Sequence, residues 1–259
     1  MNIKEIILNL VYPPVCGFCN EINDNFLCDK CMKKLEQEKI TKIDDYKNQT
    51  VFFDEHFYLF QYHKDIRDYI LKYKFDEKSY MYKSFSKLFI NDKVFTTDFI
   101  NKYDVIISVP IHRKRMKQRG YNQSELIAKD VAWNCNKTYL KKVLLKKDNI
   151  LAQSSIEDKL DRIKNIKDAF YVGQNIDLIK GKKVAIFDDV FTTGATVNEC
   201  AKVLKQNGAD SVGIFTIAKS WHIWGRTHFV SFLTQNESVP NCVILKIFQK
   251  NSTKYCIKI

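Results

Sequence analysis

The residues best equipped for chemistry lie between Val184 and Thr196, where the chain reads Val-Ala-Ile-Phe-Asp-Asp-Val-Phe-Thr-Thr-Gly-Ala-Thr. Asp188 and Asp189 are adjacent carboxylates, good acceptors for the vicinal hydroxyls of a sugar. Thr192, Thr193, Gly194, Ala195 and Thr196 follow as a loop of small, hydroxyl-rich residues. The elements that must position them can be read on either side. Val184 to Phe187 is an apolar run short enough for a buried strand. Val197, Cys200, Ala201 and Leu204 recur at the spacing of one helix face. A strand therefore delivers two acids, and a glycine-containing loop leads to a helix N-terminus, whose unpaired N–H groups and dipole suit a phosphate. Acids for a sugar beside a loop for its phosphate describe a phosphoribosyl site.

All of these positions are similar to the phosphoribosylpyrophosphate (PRPP) motif of type I phosphoribosyltransferases. The resemblance implies that Asp188 and Asp189 hold the ribose hydroxyls, that Thr192 to Thr196 hold the 5′-phosphate, and that Mg2+ accompanies PRPP. An ordinary capped strand–turn–helix is the simpler alternative. A receiver-type phosphoacceptor site also ends a strand in two acids, but those lie near the start of a full-sized domain, whereas only 70 residues follow Asp189.

Cys16-Gly17-Phe18-Cys19 and Cys28-Asp29-Lys30-Cys31 form two C-x2-C knuckles. Their spacing aims Cys16, Cys19, Cys28 and Cys31 at one point, a closed tetrahedral set for structural Zn2+. Asn20 follows the second cysteine, where such knuckles turn through a left-handed residue. A disulfide pair is the alternative. Cys135 and Cys200 read as small core residues on helices.

Val105 to Val109 is a second buried strand, and Pro110 ends it. The basic stretch His112 to Gly120 follows and is read as a loop. In a parallel sheet, ligands bind beyond the carboxyl ends of strands, so Arg113, Arg115 and Arg119 can face the same crevice as the acids. There they suit a pyrophosphate or a nucleic-acid phosphate. A solvated charge run is the alternative.

The net charge of +12 is concentrated: residues 101–150 carry 12 Lys/Arg against 4 Asp/Glu, while residues 1–100 sum to −1. Nucleic acid, a phosphorylated ligand and a membrane surface all remain open as partners, the last only as peripheral contact. No apolar run approaches the ~20 residues of a membrane helix. The first residues resemble a short amphipathic helix stopped at Pro13-Pro14 and lack the features of a secretory signal. A cytoplasmic protein with reduced thiols is expected. Elsewhere, Phe57 to Tyr62 reads as a strand, with helices carrying Ile66, Ile70 and Leu71, and then Phe85, Leu88 and Phe89. These aromatics are read as core in preference to a base-stacking platform. Glu36 to Thr50 reads as a polar connector, and Lys146 to Lys167 as an active-site loop with one helix.

Taken together, the cysteine knuckles, Leu71-Lys72-Tyr73, Val109-Pro110-Ile111-His112, Arg119-Gly120-Tyr121-Asn122-Gln123, Gln153, Leu160, Arg162, Asn165, Ala169-Phe170 and the acidic motif resemble the ComF family of zinc-ribbon, phosphoribosyltransferase-like competence proteins. The resemblance covers about residues 8–219. It implies an α/β fold with a type I phosphoribosyltransferase-like, Rossmann-like parallel sheet core and a small N-terminal four-cysteine zinc module. It divides the chain into a zinc-ribbon module (1–50), a phosphoribosyltransferase-like domain (51–219) and a C-terminal extension (220–259). The implied role is PRPP binding in natural transformation, handling incoming single-stranded DNA beside competence-machinery proteins. Two alternatives stand beside it: a non-catalytic PRPP- or DNA-phosphate-binding accessory of DNA uptake, and a phosphoribosyltransferase of nucleotide metabolism. Asp188 and Asp189 are the candidate catalytic residues, and turnover is left open.

Overall fold

Period-two alternation along the central strand organises the molecule. In the computed structural model, residues 13–76, 78–147 and 169–220 are described, together with the strands Cys242–Leu245 and Tyr255–Lys258. The strands are β1 (Lys42–Asp45), β2 (Glu55–Gln61), β3 (Val105–Ser108), β4 (Thr138–Tyr139), β5 (Leu144–Lys146), β6 (Phe170–Val172), β7 (Lys183–Phe191), β8 (Ser211–Lys219), β9 (Cys242–Leu245) and β10 (Tyr255–Lys258). The helices are α1 (Asp29–Glu38), α2 (Lys64–Phe75), α3 (Met81–Ile90), α4 (Arg113–Arg119), α5 (Gln123–Asn134) and α6 (Ala195–Gln206). A six-stranded sheet runs in the order β1-β2-β8-β7-β3-β4. It is parallel from β2 to β4, and β1 pairs antiparallel on the β2 edge.

Ala185 and Phe187 of β7 face one apolar core, which contains Ile70, Phe85, Phe89 and Ile127 of α2, α3 and α5. Val184 and Ile186 face the other, which contains Val197, Cys200, Ala201 and Leu204 of α6. Burial on both faces explains why β7 and β8 read as continuous apolar runs. Phe57, Phe85 and Phe89 are core, as expected, and the rings of Phe57 and Phe89 pack on those of Phe95, Phe99 and Phe215. The Rossmann-like parallel core and the N-terminal four-cysteine cluster are both present.

Two expectations need correction. The basic stretch after Val109 is the helix α4, bounded by the His112 imidazole, which accepts from Lys114 N–H at 3.0 Å, and by left-handed Gly120 (φ 75°). It lacks an apolar face because nothing in it is buried. The connector Glu36 to Thr50 contains β1, whose register sets Ile43 opposite Phe57. Its partners are long-range: Asp44 pairs with Lys219, and Tyr46 packs against Phe53 and Phe191.

The first knuckle is fixed to α3. Gly17 N–H donates to Ser84 Oγ at 3.0 Å, and a Cβ at Gly17 would fall 2.5 Å from that oxygen. Phe18 packs edge-on against Tyr69 of α2 and Phe85 of α3, with centroids 4.7 and 5.2 Å away. The helix expected before Pro13 and the loop bearing Gln153, Arg162 and Asn165 lie outside the described residues. In the C-terminal extension, β9 and β10 form an antiparallel pair.

Candidate functional site

From the middle of the sheet the chain leaves in opposite directions: β3 leads through α5 to β4 on one side, and β7 leads through α6 to β8 on the other. The carboxyl ends of β3 and β7 therefore flank a topological switch point, the place where open α/β sheets bind ligands. Val109 N–H donates to Phe187 C=O at 3.0 Å and keeps the two strand ends together.

At this point the strand alternation separates the two acids. Asp188 lies on the α6 side and lines a small open recess with Val190, Thr192, Thr193, Gly194, Ala195 and Thr196. The recess is thus built from the residues singled out by the sequence. Gly194 holds φ at 73° and is tight against Phe191, since a Cβ there would lie 2.5 Å from that ring's Cζ. The helix it opens, α6, has no side-chain cap at Gly194. Thr193 Oγ1 accepts from Ala195 N–H at 3.3 Å. Uncapped amide groups at a helix start are suited to an anion.

Asp189 turns the other way. Lys74 Nζ, at the end of α2, lies 2.7 Å from its Oδ1. Lys74 is a site residue that sequence reasoning misses, although it directly follows the Leu71-Lys72-Tyr73 stretch of the resemblance. Gln123 ties this wall together: its Nε2 donates to Lys74 C=O at 3.3 Å, and its Oε1 accepts from Arg119 Nη1 at 3.1 Å. Tyr73 OH donates to Gln123 C=O at 2.9 Å.

The cations expected to face the acids do so in part. Arg119 is close enough to Asp189 to feel its charge, although burial and the neighbouring Arg115 dominate and lower the guanidinium pKa. Lys146 of β5 stands near Asp188, its ammonium pKa lowered by burial and by Arg115. Arg113 is exposed in the first turn of α4. Asp188 itself is pushed up to about 7, by burial first and then by the Asp189 charge, with Lys74 and the Asp189 amide opposing. That amide donates to Asp188 Oδ1 at 2.9 Å. A carboxyl so placed gains from any cation brought to it.

The cysteines form the second site. All four sulfurs lie within 4.8 Å of one another, and Cys16, Cys28 and Cys31 are buried. Cys19 and Cys28 Sγ stand 3.6 Å apart, far beyond a disulfide bond of ~2.05 Å and near the ~3.8 Å edge of a tetrahedral zinc–thiolate site. Asn20 takes the expected left-handed turn at φ 63°. The second knuckle differs, because Cys28 caps α1 and the chain runs directly into helix. Four thiolates, with no fifth His, Cys, Asp or Glu joining the cluster among the described residues, fit Zn2+ as a closed set.

No family model matches the chain. It is 24% identical over 212 residues to Competence protein F of Haemophilus influenzae, covering 80% of this chain and 85% of that protein. It is 26% identical over 210 residues to Competence protein ComFC of Streptococcus pneumoniae, covering 79% and 87%. Along about four fifths of its length, then, the chain is similar to competence proteins of the ComF type. DNA utilization protein YhgH of Escherichia coli matches at 29% over 150 residues, 57% of this chain and 64% of YhgH. Among solved structures, an adenine phosphoribosyltransferase from Thermoanaerobacter pseudethanolicus covers 73% of this chain and 99% of its own at 13% identity, TM-score 0.35. A glutamine PRPP amidotransferase from B. subtilis covers 52% and 25% at 17% identity, also with TM-score 0.35. Overlaps this loose add nothing to the fold, which rests on the sheet order and the alternation along β7.

Proposed function

We propose that the protein binds PRPP in the β3/β7 crevice and acts in the handling of incoming single-stranded DNA in the cytoplasm, beside other competence proteins. The observation that carries this reading is the recess itself, where a carboxylate from β7 and the Thr192–Thr196 loop meet at a switch point with Arg115, Arg119 and Lys146 nearby. Thr192, Thr193, Gly194, Ala195 and Thr196 take the 5′-phosphate. Asp188 and Asp189 take the ribose hydroxyls and are the oxygen donors available to Mg2+, which supplies charge neutralisation for pyrophosphate. Arg113, Arg115 and Arg119 take pyrophosphate or DNA phosphate.

In turnover, the bond from C1 to pyrophosphate breaks as an acceptor bonds to C1, and this chain's contribution is positioning and electrostatics. With water as acceptor the products are ribose 5-phosphate and pyrophosphate. The non-catalytic reading is favoured by one observation: Asp189 is already paired with Lys74.

Calorimetric titration of the zinc-loaded protein with PRPP and Mg2+ tests the site. Saturable binding lost in Asp188→Asn/Asp189→Asn supports it, and unchanged binding in that variant overturns it. Pyrophosphate release dependent on Asp189 decides for the enzyme over the accessory protein.

A further inference from the structure

Phe75 closes α2 immediately after Lys74 and is 65% exposed. The Arg119 guanidinium carbon lies 5.0 Å from its ring centroid. The same Arg119 donates to Gln123, Gln123 donates to Lys74 C=O, and Lys74 holds Asp189. An open aromatic ring is thus tied by a short polar chain to a carboxylate of the crevice. Beside it, α4 presents Arg113, Lys114, Arg115 and Lys117, all exposed. A π-face next to a run of cations is the combination that holds single-stranded nucleic acid: bases stack and phosphates follow the charge.

We propose that Phe75, braced by Arg119, is a stacking platform for one base of a single-stranded nucleic acid whose phosphates run along α4. The platform sets that nucleotide at the rim of the crevice, beside Asp189. A duplex is the wrong partner, because its bases are already stacked on one another. The inference rests on the reading of the crevice as a DNA-handling site, and it names a residue that sequence analysis does not single out.

The test is fluorescence anisotropy of a labelled oligothymidylate with the full zinc-loaded chain and its Phe75→Ala, Phe75→Leu and Phe75→Trp variants. Phe75→Ala weakens binding about 10-fold or more, and Phe75→Trp restores it where Phe75→Leu does not. The slope of affinity against salt is unchanged, since no charge is removed. Affinity in Phe75→Ala within about twofold of the parent, set against the tenfold or greater loss that stacking predicts, overturns the proposal. So does rescue by Leu equal to that by Trp, or competition by free thymidine as effective as by the oligomer. PRPP titration of the same variants keeps the two readings apart. Absence of PRPP binding in the parent overturns the phosphoribose site alone, whereas a Phe75 effect confined to PRPP overturns the platform alone.

Discussion

Lys74 Nζ sits 2.7 Å from Asp189 Oδ1 across 115 residues of sequence, with both side chains less than a quarter exposed. This ion pair joins the end of α2 to the end of β7, and with it the two walls of the crevice. Lys74→Met leaves Asp189 beside Asp188 without its counter-ion. We expect a loss of about 1–3 kcal/mol in urea denaturation. Asp189→Asn in the same chain recovers part of it, and the double-mutant cycle measures the coupling.

Asp188 gives the protein a pH signature. Its folded pKa lies near 7, above the ~3.9 of an unfolded chain. Between those values the folded state holds the extra proton, so this group's contribution to stability is complete below about pH 4 and is lost as pH rises toward 7. Denaturation midpoints of the parent should therefore fall relative to Asp188→Asn across that window, and the two curves should run parallel above it. Parallel curves throughout would show that the carboxyl is not shielded.

Gly194→Ala places a methyl where Phe191 already stands and asks an L-residue to hold φ near 73°. A destabilisation of about 1–3 kcal/mol is expected. PRPP affinity should fall further than stability alone explains, because the loop it opens lines the recess. Calorimetry and thermal melting on one preparation separate the two effects.

Much of this is legible in the sequence because it is local. The strand, acids, loop and helix start of Val184 to Thr196 are contiguous, and the unbroken apolar run already marks a strand buried on both faces. The knuckles are equally plain, down to the left-handed Asn20. What is not legible depends on distant partners. Lys74 looks like any surface lysine at a helix end until Asp189 is placed beside it. Helix α4 has no apolar stripe, and its limits come from a cap at His112 and a turn at Gly120. Strand β1, Lys-Ile-Asp-Asp, has almost no apolar content and is held by the β2 backbone and by Lys219.

Zinc should matter to the crevice as well as to the knuckles. Phe18, between two ligands, packs on Tyr69 and Phe85, and Phe85 in turn lies 5.5 Å from Tyr73, the neighbour of Lys74. Chelation is expected to lower the thermal midpoint and to speed amide exchange along Lys64–Phe75. Cys16→Ser reproduces both effects, and Cys135→Ser changes neither. Thiol-blocked metal release should count one zinc per chain.

Charge on α4 is tested by salt. Arg113→Gln with Arg115→Gln should reduce the slope of log affinity for single-stranded DNA against log salt by up to about 1.4, that is ~0.7 for each phosphate no longer neutralised. An unchanged slope assigns the DNA to another surface.

The antiparallel edge strand has a consequence for how the molecule can be divided. β1 supplies Asp44 to Lys219, which is only 7% exposed, and covers the backbone edge of β2, six of whose seven residues are buried. A chain begun at Val51 would take Asp44 away from that ammonium and bare a hydrophobic hydrogen-bonding seam, an invitation to aggregate. A cut between the cysteine cluster and the parallel sheet therefore has to fall before β1, so that the strand stays with the edge it covers.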